Sequence, residues 1–209
     1  MKVASLATLL AGVAGVGLAY VLATGRFPGR GLVEALTLLP LTLPPTVLGY
    51  YLLLLLGRRS PLGSWVEATF GVPLVFTWQG AVVAAAVPSL PLVVRTVRAA
   101  FAEVPLDVLE AARMDGAGWL HQFAYILLPL SRRGIVAGVS LGFARALGDF
   151  GTTLMVAGNI PGQTQTLPIA LYDAVQAGRW EAAGTLALLL GVVALGVLVA
   201  VGRLGERVI

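Results

Sequence analysis

The chain is 209 residues long, 58% hydrophobic and only 11% charged, with a mean hydropathy of +0.91. A soluble domain needs roughly a quarter of its residues charged, so this composition excludes one and describes an integral membrane protein. The lack of cysteine rules out disulfides and thiolate metal sites, and the lone His121 rules out a histidine metal cluster within one chain. The net charge of +4 marks membrane-flanking loops rather than nucleic-acid binding.

A helix that crosses a bilayer takes about 20 apolar residues, and five runs meet that condition, near 3–23, 36–56, 74–94, 135–157 and 182–202. The expected fold class is all-α, a polytopic membrane helix bundle forming one domain over residues 1–209, with no length left for a soluble domain. The first run, behind Lys2, continues through Ala23 without the small-residue cleavage pattern of a secretory signal, so it is expected as a retained helix. The second contains Pro40, Pro44 and Pro45, and the third Pro88 and Pro91. Each proline removes a backbone donor, so these runs are either broken helices that line a pathway or static kinks in a packed bundle. Arg58 and Arg59 close the second run, where they either draw anions by local field or simply anchor the span.

A polar island follows the third run. Asp107 is expected as the N-cap of a short helix, with Glu110 completing a capping box, and Gly116 ends that helix in the left-handed conformation. Trp119, Leu120, Phe123 and Ile126 then recur at helical spacing, which makes a second, amphipathic helix. By composition alone the pair would lie on the headgroups, with Trp119 at the interface. In the fourth run Gly134, Gly138, Gly142 and Ala146 repeat every four residues and form a face for close helix packing, within this chain or against a second copy. Arg145 and Asp149 lie on another face, four apart, as an ion pair that pins the helix or as part of a wet path. Gly148 and Gly151 flank Asp149 and permit a local bend. The tract 159–168, NIPGQTQTLP, is polar and rich in turn formers, as a surface touched by a docking protein or any solvated loop would be. The segment 167–178 is too short to cross and carries Asp173, so it reads as an interfacial or re-entrant helix.

Five spans place the termini on opposite sides, and the Lys/Arg count chooses between the two orientations. Arg26, Arg30, Arg95, Arg98, Arg113, Arg132, Arg133, Arg203 and Arg207 fall on one side, against Lys2, Arg58, Arg59 and Arg179 on the other. The loop 95–134 and the C-terminus are therefore expected in the cytoplasm and the N-terminus outside, with Arg58 and Arg59 as the main exception.

Glu110, Ala111, Ala112, Gly116, Ile126, Leu128 and Pro129 match the pattern EAA, three residues, G, nine residues, I, one residue, LP. This resembles the EAA loop of the permease subunits of ATP-binding-cassette importers of type I. The resemblance implies that the loop, about 105–130, is a coupling helix docked in a groove of a separate ATPase. Small Ala111 and Ala112 would allow close approach, with Trp119 or Phe123 as the aromatic anchor. A wider resemblance, over FPGRGLVEALTLLPLTLPPTVLGYY, FTWQGAVVAAAVPSLPLVVRTVRAAF and FARALGDFGTTLMVAGNIPGQTQTLPIALY, is to the molybdate permease family, with tungstate and sulfate permeases beside it. Asp149 stands where that family is expected to carry glutamate, which keeps the charge, and the N-terminus is shorter than in relatives with a longer leader.

What this implies is a transporter subunit rather than an enzyme: a homodimeric pore with two ATPase copies and a periplasmic or lipid-anchored oxyanion-binding protein. Molybdate or tungstate is the expected cargo, and sulfate or another oxyanion the alternative. No GxxxxGK[ST] phosphate loop is present, so no cofactor is expected in the chain itself, ATP and Mg being used by the partner. Thr46, Arg145, Asp149, Thr152 and Thr153 are the candidate path residues, because hydroxyls and a cation suit a tetrahedral dianion that must also leave. An ion-coupled secondary carrier fits less well, since no repeat relates the two halves. An intramembrane enzyme lacks a nucleophile-and-base constellation.

Overall fold

The computed structural model describes residues 1–25 and 27–206, with side chains to residue 200. Arg26, Arg207 and the side chain of Arg203, three members of the arginine count, lie outside the described residues. Every regular element described is helical: α1 (Lys2–Thr24), α2 (Arg30–Thr42), α3 (Pro45–Leu56), α4 (Pro61–Phe70), α5 (Trp78–Ala102) and α6 (Leu106–Met114) lead into α7 (Trp119–Gln122). A π-helical turn (Phe123–Leu127), α8 (Leu128–Leu130), α9 (Arg132–Leu147), α10 (Gly151–Ala157), α11 (Leu167–Gln176) and α12 (Trp180–Glu206) complete the chain.

Three helices are long and apolar enough to cross a membrane singly, and two sharply bent pairs raise the number to as many as five. Two of the expected spans change in the process. The run 36–56 is α2 and α3, bent by 118°. Its break falls at Leu43 and Pro44, both extended, where Pro45 has no N–H to continue the helix and fits its first turn instead. The run 135–157 is also interrupted: α9 ends at Leu147, and α10 begins only after Asp149 and Phe150. Trp119–Leu130 and Arg132–Leu147 meet at 78° and are long and apolar enough to cross only as a pair, as one broken span or as a re-entrant segment.

Proline acts differently in α5. Pro88 and Pro91 are buried, and the helix runs unbroken for 25 residues, two turns past the expected end, carrying Arg95 and Arg98 within it. Here the surrounding helices hold the backbone in line, as tertiary packing does in membrane bundles.

Helices α1, α5 and α9 form the core. Ala4, Ala7, Ala11 and Ala19 of α1 are buried in one cluster with Val93, Val94 and Val97 of α5. The small-residue face of α9 is used within the chain: a Cβ on Gly134 would stand 2.2 Å from the Ala100 Cβ, and one on Gly142 would stand 2.8 Å from Val93 Cγ2. A second cluster joins Leu48, Leu52 and Leu56 of α3 to Ala84 of α5 and Val156 of α10. Leu188, Val192, Leu195 and Leu198 of α12 remain exposed. The segment 167–178 holds the short helix α11, whose Asp173 pairs with Arg179 at 2.8 Å.

Candidate coupling loop and pathway residues

The coupling loop begins with a corrected cap. Pro105, not Asp107, is the N-cap of α6; no side-chain cap bond forms, and Asp107 sits in the first turn, where its charge favours the helix N-terminus. The C-terminal end follows the expected chemistry. Gly116 has φ +82°, its N–H donates to Arg113 O at 3.0 Å, and Ala117 N–H donates to Ala112 O at 2.9 Å. These are the two bonds of a Schellman ending.

The turn is also held by a residue that periodicity alone does not single out. Gln122 is buried; its Nε2 donates to Ala117 O at 2.8 Å and its Oε1 accepts from Arg113 Nε at 3.3 Å. A polar residue on the inward side of an otherwise amphipathic helix was the available signal. One end of its amide closes the turn and the other reaches back to α6, so the two helices form a unit.

Glu110 and Ala111 are exposed and Ala112 is half-buried. Met114, 88% exposed, and Trp119, 64% exposed, project from the same loop. A cleft of about 350 Å³ lies beside the turn, lined in part by Ala112, Gly116 and His121. The second amphipathic helix is not regular: four α residues pass into the π-helical turn, a form frequent at functional sites.

Phe123, Ile126 and Leu128 face inward, packed against this chain's own core. The Phe123 ring lies 4.7 Å from Tyr20 of α1 and 6.4 Å from Phe101 of α5. Phe123 is half-buried and links the loop to the bundle, so of the two anchor candidates Trp119 is the exposed one, with Tyr125 a further exposed ring in the same loop. Tyr20 Oη also donates to Trp119 O at 3.4 Å. Pro129 is exposed. At the 78° elbow, buried Ser131 donates from Oγ to Ala100 O at 3.1 Å and ties α9 to the end of α5.

Of the five path candidates, four meet at one joint. Arg145 Nη1 lies 3.1 Å from Asp149 Oδ1, and Asp149 Oδ2 accepts the Thr153 N–H at 2.9 Å. The carboxylate thus ties the end of α9 to the start of α10. Thr153 Oγ1 donates to Asp149 O or Phe150 O, and Thr152 Oγ1 to Pro45 O at 3.4 Å. Both threonines are fully buried and their hydroxyls are engaged within the chain, so in this conformation they hold the joint. Arg145, 27% exposed on its side chain, and exposed Thr46 beside Pro45 keep open surface. Across the break, the bond from Thr152 links α10 to α3. Arg58 pairs with Glu67 at 3.0 Å, while Arg59 is exposed.

Comparison with known proteins agrees with this architecture. Residues 13–204 match the family described as "Binding-protein-dependent transport system inner membrane component". The chain is 46% identical over 176 residues, 84% of its length and 77% of the relative's, to the molybdenum transport system permease protein ModB of Escherichia coli K12. It is 40% identical over 85% of its length to the putative molybdenum transport system permease protein YvgM of Bacillus subtilis 168, covering 78% of that protein. The sulfate transport system permease protein CysT of Escherichia coli K12 is 36% identical over 98% of this chain and 73% of its own. The fold is shared with an inward-facing MetNI methionine ABC transporter chain, at a TM-score of 0.72 and 20% identity, with 100% of this chain and 92% of the other covered. A family match across nearly the whole bundle, coupling loop included, leaves one conclusion: the chain belongs to the binding-protein-dependent transport system inner membrane components, multi-pass membrane permeases and not enzymes.

Proposed function

We propose that this chain is the permease of an ATP-driven importer that moves an oxyanion, molybdate in the first place, into the cytoplasm by alternating access. The observation that carries the reading is the coupling loop: a Schellman-ended α6 and α7 held as one unit by Gln122, with Met114 and Trp119 projecting. Such a unit fits a groove on an ATPase and can pass its closure into the helices. Glu110, Ala111, Ala112, Gly116 and Trp119 make the docking surface, while Phe123, Ile126 and Leu128 carry its motion inward.

Two copies of the chain and two ATPase subunits form the transporter, with ATP and Mg confined to the ATPases. The loop 95–134 and the C-terminus face the cytoplasm, as the arginine count favours. A periplasmic or lipid-anchored binding protein meets the opposite side, where Arg59 adds positive charge to the mouth and Arg145 offers a cation to the passing anion.

Molybdate is preferred because relatives named for molybdenum transport reach 46% identity, against 36% for sulfate permeases. Sulfate is the second reading, supported by a match over 98% of the chain. The test is ATP hydrolysis by the permease reconstituted with its ATPase and binding protein. Molybdate-loaded binding protein is expected to stimulate hydrolysis and sulfate to fail to do so. Stimulation by sulfate alone would transfer the assignment to sulfate, and uptake that persists without ATPase and follows a proton gradient would overturn both.

A further inference from the structure

Between α1, α2 and α5 lies a cavity of about 400 Å³ whose walls combine two arginines, Arg95 and Arg98, with Glu34 and an apolar surface from Leu22, Leu38 and Val94. Three of the six lie close to one end of their helices: Leu22 two residues before the end of α1, Glu34 four after the start of α2, and Arg98 four before the end of α5. At 1.5 Å per residue these lie about 3–6 Å along the axis from those ends, and Arg95, Leu38 and Val94 about 10–12 Å. Headgroup and interfacial layers occupy roughly 5–8 Å on each side of the hydrocarbon. The extent of the cavity along the helices is therefore comparable with the headgroup layer and the first part of the acyl chains.

The charges in it are unequal. Arg98 is already in contact with Glu34. Arg95 is exposed and, among the described residues, makes no ion pair or hydrogen bond. One Glu against two Arg leaves one net positive charge, beside walls that are apolar towards the membrane interior. Those apolar walls are unsuited to the hydration of a tetrahedral dianion in transit. A phosphodiester carries one negative charge and is followed by an acyl-bearing glycerol, so it matches both features.

We propose that this cavity is a binding site for one anionic phospholipid, its phosphate held by Arg95 and Arg98 and its acyl chains lying along Leu38 and Val94. Basic pockets between membrane helices recognise anionic headgroups by this chemistry. Glu34 competes with the phosphate for Arg98, so lipid occupancy and the Glu34–Arg98 contact between α2 and α5 are coupled. The lipid comes from the cytoplasmic leaflet under the orientation proposed above, and the site rests on that reading only for its side.

The experiment is native mass spectrometry of the permease–ATPase complex released from nanodiscs of phosphatidylglycerol and phosphatidylcholine. One retained phosphatidylglycerol per permease chain is expected. Arg95→Gln is expected to lower retention about fivefold, the equivalent of about 1 kcal/mol for one arginine at an anionic surface. Arg95→Lys should largely restore it, and Glu34→Gln should raise it by freeing Arg98. Unchanged retention in Arg95→Gln would overturn the proposal. So would displacement of the lipid by millimolar molybdate in the absence of ATP, which would give the cavity to the transport path. Because lipid retention is read without turnover, its failure is separable from failure of the transport reading. Labelling of an Arg30→Cys variant from one side of sealed vesicles fixes the leaflet independently.

Discussion

At the residue scale, Gly116 and Gln122 carry the geometry of the docking unit. A side chain with a Cβ in the left-handed region costs about 1–2 kcal/mol, so at φ +82° Gly116→Val is expected to lower the melting temperature and weaken co-purification of the ATPase. Gly116→Asn, which tolerates that region, should retain most of both. Gln122 separates two roles in a similar way. Gln122→Glu keeps an acceptor for Arg113 but loses the donor to Ala117 O, whereas Gln122→Ala loses both contacts. With each hydrogen bond worth about 1 kcal/mol, ATPase affinity measured by titration is expected to fall in the order parent, Glu, Ala. The sequence announced Gly116, because a glycine that ends a periodic stretch has few other uses. Gln122 was visible only as a polar residue on the inward side, its partners being set by how the turn folds back, and the uncapped start of α6, where Pro105 takes the place predicted for Asp107, was not announced.

At the element scale, the π-helical turn and the aromatic group Tyr20, Phe101 and Phe123 join the docking unit to α1 and α5. Aromatic pairs contribute about 0.5–1.5 kcal/mol beyond their buried area, and these pairs bridge elements that must move together. Replacing rings by a similar apolar volume, as in Tyr20→Leu or Phe123→Leu, is expected to leave ATP hydrolysis measurable while lowering anion uptake per ATP by about fivefold or more, a typical size for a coupling energy. Tyr20→Phe removes only the hydroxyl contact to Trp119 O and should be near parent. Equal loss of hydrolysis and uptake in the Leu variants would assign the group to folding alone. The prolines teach a related lesson. Three of them sit in one run and two in another, yet α2–α3 breaks at 118° while α5 stays continuous. The chain signals a missing donor, but the neighbouring helices decide whether the backbone bends.

At the scale of the whole molecule, three helices are long enough to cross singly and two bent pairs allow up to five spans, and orientation is open to direct measurement. The parent chain has no cysteine, so single introduced cysteines report without background. Met114→Cys, on an exposed position of the coupling loop, is expected to react with a membrane-impermeant maleimide only in inside-out vesicles. Gln163→Cys, on the exposed opposite loop, should react only in right-side-out vesicles. The reverse pattern would invert the topology and with it the assignment of import. Composition by itself determined the membrane, the helical class and the approximate number of spans, because the bilayer admits few ways to satisfy a backbone and each leaves a long apolar run. Spacing by itself located the coupling loop, because a local turn between two helices is written in consecutive residues. Only the tertiary structure decided that the glycine face of α9 packs on α5, that Phe123 points into the bundle, and that Thr152 and Thr153 hold a joint. Those outcomes depend on which helix lies opposite, up to 107 residues away along the chain, and no periodicity within one helix records its neighbour.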